Sequence, residues 1–346
     1  MSRPTESFVS TGHLPASTQV QALVDQAWRE GRAETGGACS TVYPALARVD
    51  PDQLGVCLVG TSGRMWSAGD ADPRFAIMSV SKPFVFALVC EALGAERARE
   101  FLGVNATGHP FDSAAAIDLG PDGRTNPMVN AGALATTSLV PGTSEEDRWA
   151  HLLKGLSRFA GRALTVDAEV LASARETNHR NAGLAWLLHA KRRLGTHPEE
   201  TVDLYTRQCA LSVSARDLAI MGATLADGGV NPVTRERVIS ARVCHHVLAV
   251  MATAGLYESS GDWLYSVGVP GKSGIGGGIV TVIPGKGGLG TWAPRLDSAG
   301  NSVAGQKVAQ VLTRRLGLSI FASVPAGDEA DDAAGADEES PSQPHG

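Results

Sequence analysis

The chain has 346 residues, 43% of them hydrophobic and 19% charged, with a formal net charge of −6. That mixture can bury a sizeable core and excludes a chain disordered throughout. Residues 325–346 hold seven acids and no Lys or Arg, so of 36 acids 29 remain in 1–324 to face 30 basic residues. A nearly neutral body excludes the broad basic footprint of a nucleic-acid or anionic-membrane binder.

In chain order, residues 1–16 are polar, with Pro4 and Pro15, and read as a loose arm. Met1 to Val20 has no continuous apolar core, so no secretory signal is expected. No run approaches the roughly 18 apolar residues of a membrane span, and a cytoplasmic setting is expected. Val20, Leu23, Val24 and Ala27 share helical spacing and predict a helix over 17–32. Leu54 to Gly60 and Met65 to Ala68 flank Thr61-Ser62-Gly63 and predict a hairpin. An apolar helix follows over 79–93. From 100 to 260 the pattern is mainly helical, with polar loops at 105–127 and 141–146. Strand signals return at Gly278 to Ile283 and Gly288 to Ala293, and 303–316 forms a last amphipathic helix. Strands at both ends with helices between predict an α+β fold: an antiparallel sheet from N- and C-terminal strands, packed with helices, plus an inserted helical region. The body spans 17–324, its sheet part at about 40–80 and 262–324 and its helical part at about 100–260. The acidic tail, 325–346, is expected to stay solvated. Five scattered cysteines form no CxxC pair and no Cys/His metal framework, so neither metal nor disulfide is expected.

Three segments carry chemistry. Ser79-Val80-Ser81-Lys82 is an S-x-x-K at a helix start, where positions three apart share a face. A lysine can deprotonate a serine only if burial or nearby cations hold its pKa down, and the apolar run Phe84 to Leu88 provides such a setting. Lys272-Ser273-Gly274 lies about 190 residues later, before Ile275 and a strand. A Lys-Ser/Thr-Gly triplet is the usual companion of S-x-x-K in serine acyl-transfer enzymes, and its glycines let backbone N–H groups approach a substrate. Asn126 to Ala133 (NPMVNAGA) offers Asn130, whose amide can bind a carboxylate or an amide.

With these segments in place, the chain resembles the serine-dependent glutaminases of the β-lactamase-like superfamily. The resemblance covers roughly residues 40–312 and includes NPMVNAGA, Arg180-Asn181, Gly222 to Gly229, Gly255-Leu256-Tyr257, Pro270 to Gly274 and Leu296 to Ser302. It implies hydrolysis of L-glutamine through an acyl-enzyme, without cofactor or metal, by a homo-oligomer. It implies that Ser79 is the nucleophile, Lys82 its partner and Tyr257 a proton shuttle. It further implies that Ile275 and Ser79 supply oxyanion donors, and that Asn130, Asn181 and Tyr205 hold the substrate.

Three positions depart from the family pattern. Val42-Tyr43-Pro44 stands where the family has Tyr-Ile-Pro, so the pattern no longer requires the Tyr43 hydroxyl to reach the site. Met78 replaces a Gln before the nucleophile. Ala174 replaces the Glu that holds the substrate's α-ammonium, seven residues before Asn181. Glu176 lies about 200° further round a helix and substitutes for it only if the backbone there is not helical. An amidase for a related amide, or a binding protein on the same fold, are the alternative expectations.

Overall fold

The computed structural model describes Leu14 and residues 17–323. The expected arm, Leu14 apart, and the acidic tail lie outside the described residues. Among the described residues eight strands form two sheets: β1 (Gly55–Gly60), β2 (Met65–Gly69), β3 (Phe75–Ala76), β4 (Thr165–Val166), β5 (Leu211–Val213), β6 (Gly271–Ser273), β7 (Gly278–Ile283) and β8 (Gly287–Trp292). The larger sheet has the order β2-β1-β8-β7-β6 and every neighbouring pair is antiparallel. N- and C-terminal strands thus meet at the β1–β8 pairing, with Cys57 opposite Gly290.

Alternation along β1 sorts its side chains. Val56 and Leu58 join one apolar cluster with Val24, Leu289, Val308 and Leu312, while Cys57 and Val59 join Ala219, Ile220 and Ala223 on the other face. Helices Ser17–Arg32 and Val303–Arg315 cover the first face. Helix Ala215–Ala226 covers the second. It comes so close that a Cβ on Gly290 would lie 2.0 Å from the Ala215 carbonyl oxygen, an approach only glycine permits. Both faces being covered explains why β1 and β8 are buried along their whole length.

The expected apolar helix begins as a 3-10 turn, Met78–Ser81, and continues as an α-helix over Lys82–Leu93. It is buried from Lys82 to Cys90 and packs among the helices Asn130–Thr137, Glu145–Ala160 and Ala241–Ala254, while the 3-10 turn before it contacts β6 and β7. Pro83 sits in its first turn, where a missing N–H costs little. In the helical region Asn130–Thr137, His179–Ala190 and Pro198–Cys209 pack on one another. No single helix among the described residues is long and apolar enough to cross a membrane. The small second sheet, in the order β3-β5-β4, has strands too short for periodicity to reveal. It has a structural purpose: Ile77 N–H donates to the Leu211 carbonyl at 2.8 Å, pinning the chain immediately before Ser79.

Candidate active site

Met78 follows that anchor with φ 48°, a left-handed conformation unusual for a residue with a side chain. The resulting sharp turn sets Ser79, 7% exposed, at the edge of the interior. A buried chain holds the turn from behind. Ser81 Oγ donates to the Met78 carbonyl (2.7 Å), Gln208 Nε2 donates to Ser81 Oγ (2.9 Å), and Thr137 Oγ1 donates to Gln208 Oε1 (3.0 Å).

Three residues on, Lys82 is 1% exposed. Its Nζ donates to the Met128 carbonyl (3.2 Å) and to Asn130 Oδ1 (2.7 Å). Both acceptors are neutral, and burial pushes the amine down to about 7. Lys272, completely buried, donates from Nζ to the Ser273 carbonyl at 2.6 Å and sits 4.1 Å from the centroid of the Tyr257 ring. Burial and the charge of Lys82 hold it well below the usual lysine range.

Tyr257 is the second left-handed residue, with φ 55°. Its hydroxyl meets the Ser79 hydroxyl and donates to the Ser273 carbonyl at 3.3 Å. Burial pushes that phenol up to about 12, with the contact to Ser79 acting against the rise. The Phe111 ring packs against Tyr257 with 4.5 Å between centroids. Asn301, fully buried, joins the two strips of backbone that carry this group: Ser273 Oγ donates to Asn301 Oδ1, and Asn301 Nδ2 donates to Ser259 Oγ at 3.3 Å. A Cβ on Gly274 would lie 3.2 Å from the Ser79 nitrogen. Glycine therefore lets the Gly274–Ile275 backbone pass beside the Ser79 N–H, as a two-donor oxyanion site requires.

Beyond Lys82 a line of carboxamides leads away from Ser79. Asn130 Nδ2 donates to Asn181 Oδ1 (3.0 Å), Asn181 Nδ2 to Asn178 Oδ1 (2.6 Å), and Asn178 Nδ2 to Thr206 Oγ1 (2.7 Å). Tyr205 is buried in the adjoining apolar cluster with Met78, Ala131, Ala174 and Cys209, its hydroxyl against the Cys209 thiol. Of the expected residues, Tyr257 meets Ser79, Lys82 meets Asn130, and Ile275 follows the glycine that passes beside the Ser79 N–H. Asn181 and Tyr205 line the continuation.

Two departures resolve differently from each other. Tyr43 is buried, and its hydroxyl donates to Asn178 Oδ1 at 3.3 Å, so the aromatic does reach the carboxamide line despite its offset. Val42 points to solvent, 56% exposed. Ala174 lies buried within helix Ala168–Thr177, which is continuous, so Glu176 faces solvent and supplies no carboxylate. Asn178, Ser81, Gln208 and Asn301 were not singled out by sequence. Asn178 had a signal, since it stands three residues before Asn181, and Ser81 and Asn301 lie inside the sequence motifs without being given a role there.

Helices packed on both faces of an antiparallel sheet, with the S-x-x-K turn buried where the helical region meets it, define the β-lactamase-like class of fold. Comparison with known proteins narrows this. The Glutaminase family profile matches residues 37–321. Glutaminase 2 of Yersinia pestis is 63% identical over 92% of this chain and 94% of its own length. The glutaminase of Brucella canis is 44% identical over 88% and 96%. Among solved structures, a probable glutaminase, ybaS, superposes with a TM-score of 0.87 at 41% identity, covering 89% of this chain and all of that one. A probable glutaminase from Bacillus subtilis, complexed with 6-diazo-5-oxo-L-norleucine, gives 0.78 at 31%, covering 92% and 100%. The chain belongs to the glutaminase family, and it is a hydrolase acting on an amide.

Proposed function

We propose that the chain hydrolyses the side-chain amide of L-glutamine to L-glutamate and ammonia through an acyl-enzyme on Ser79. The observation that carries this reading is the buried Ser79–Lys82–Tyr257 cluster, in which the lysine has neutral partners only and a pKa of about 7. A neutral amine there can take the Ser79 proton at physiological pH. Ser79 Oγ attacks the carboxamide carbon, and the N–H groups of Ser79 and Ile275 stabilise the oxyanion. The C–N bond then breaks, and ammonia leaves with a proton relayed through Tyr257, whose high pKa keeps it a donor. Water attacks the ester, returning the proton to Ser79 and releasing the carboxylate. Asn130, Asn181 and Tyr205 line the rest of the substrate's path. The names of the relatives support glutamine as a substrate.

Purified protein should release ammonia from millimolar L-glutamine, and Ser79→Ala should reduce this to background. 6-Diazo-5-oxo-L-norleucine, bound by the Bacillus subtilis relative, should add covalently to the intact chain and not to Ser79→Ala, as read by mass spectrometry. Undiminished ammonia release by Ser79→Ala would remove the acyl-enzyme.

A further inference from the structure

The hydrogen bonds beside Ser79 run in one direction. Lys82 donates to Asn130, Asn130 to Asn181, Asn181 to Asn178, and Asn178 to Thr206, whose own hydroxyl donates to the Val202 carbonyl. Tyr43 also donates into Asn178 Oδ1. Asn178 Oδ1 is filled by two donors and the Asn130 and Asn181 oxygens each already receive one, while each amide –NH2 has a second N–H to spare. The line keeps three free N–H donors against two free carbonyl lone pairs, neither of them charged.

The titratable groups add no buried negative charge. Lys82 and Lys272 are buried amines whose charged forms burial disfavours. The other buried titratable groups of this region, Tyr43, Tyr205, Tyr257 and Cys209, are all held neutral by burial. The carboxylates nearby stand outside. Asp112 is half-exposed and 3.8 Å from Arg180, Glu258 is exposed, and Glu176 faces solvent. Asp217 is the one buried acid among the described residues, and it is clasped by Arg74 and Arg162. A ligand carboxylate meets the spare N–H donors of the carboxamide line. A ligand ammonium meets no buried carboxylate, and a cation buried without one is costly.

We infer that this site also takes short ω-carboxamides that carry a far-end carboxylate and no ammonium, such as glutaramate and 2-oxoglutaramate, and processes them at least as efficiently as glutamine. This deepens the acyl-enzyme reading and depends on it. The step is the same hydrolysis: Ser79 Oγ forms the ester, the C–N bond breaks, ammonia leaves, and water yields the dicarboxylate.

The test is kcat/KM for ammonia release from L-glutamine, glutaramate and 2-oxoglutaramate, using the full chain and Ser79→Ala. The expected result is Ser79-dependent turnover with both deaminated amides equal to or above glutamine. Ala174→Glu, which restores a carboxylate at that buried position, should shift the preference toward glutamine by about tenfold or more. If that variant does not fold, as judged by circular dichroism, the wild-type ratio decides alone. A wild-type preference for glutamine of about tenfold or more overturns the inference and leaves the acyl-enzyme standing. So does a selective loss of glutamine turnover in Asp112→Asn, which would place the ammonium on that rim carboxylate. Ammonia from none of the three amides overturns the acyl-enzyme reading and the inference with it.

Discussion

Replacing Lys82 by Met should change stability with opposite sign at neutral and alkaline pH. The lysine is 1% exposed and its amine is shifted from 10.5 to about 7. Its folded-state pKa lies below its unfolded one, so between about 7 and 10.5 the unfolded chain binds the extra proton. The penalty is absent above the unfolded pKa, grows as pH falls, and levels off below the folded pKa. At about 1.4 kcal/mol per pH unit, it reaches roughly 5 kcal/mol at pH 6.5 and disappears near pH 10.5.

The Met variant escapes that penalty and loses something else. Asn130 Oδ1 and the Met128 carbonyl give up their donor from Lys82, a cost of about 1–3 kcal/mol that does not depend on pH. Lys272 keeps its burial penalty in both proteins. The balance is net stabilisation of about 2–4 kcal/mol near pH 6.5 and net destabilisation of about 1–3 kcal/mol near pH 10.5. Urea unfolding of both proteins across this range is the assay. A stability difference that stays flat with pH would refute the claim that the amine is held neutral by burial. On the proposed mechanism the same titration gives kcat/KM an acidic limb, rising with pH through about 7.

Three other outcomes can be checked more briefly. Tyr257→Phe removes the hydroxyl that meets Ser79 while keeping the ring against Phe111; kcat should fall about 10²–10⁴-fold with little change in KM. Gly274→Ala puts a Cβ 3.2 Å from the Ser79 nitrogen and 3.1 Å from Val80 Cγ2. Displacing that backbone should cost kcat about 10²-fold or more, while the melting temperature moves little. Asp217→Asn removes the charge that faces Arg74 at 2.7 Å and Arg162 at 2.6 Å. Both arginines stay partly solvated and burial already disfavours the carboxylate charge, so chemical denaturation should show a loss of only about 1–3 kcal/mol, with activity per folded molecule unchanged.

How much of this was readable from sequence depended on the length and regularity of each segment. The helix over 17–32, the hairpin at 55–69 and the strands at 278–292 carry long apolar patterns, and they form within a residue or so of where those patterns place them. Ser79 and Lys82 were legible because spacing of three on a helical turn has one spatial meaning. Glu176 was legible for the same reason, since helical geometry turns it away from Ala174. Tyr43 was not. It lies in an irregular stretch between Ser40 and Leu46, where sequence spacing carries no direction, and only the fold brings its hydroxyl to Asn178. Two-residue strands such as β3 have no period to detect, and left-handed Met78 and Tyr257 have no sequence signature, since neither side chain favours that conformation.

Those two residues bear on why the site is built as it is. Five described residues other than glycine have positive φ, and two of them, Met78 and Tyr257, flank the Ser79 hydroxyl from different parts of the chain. Each such conformation costs about 1–3 kcal/mol and persists only where surrounding contacts enforce it. Here the enforcing contacts can be named. Ser81, Gln208 and Thr137 hold the Met78 turn, and Asn301 ties the Tyr257 segment to Ser273. Two uncharged lysines add their burial cost at the same place. Unfavourable terms that would be scattered in a merely structural core are concentrated on Ser79's chain neighbours Met78 and Lys82 and on Tyr257 and the Lys272 beside its ring. A pocket that only bound a ligand would gain nothing from holding Lys82 neutral, whereas a serine nucleophile requires it.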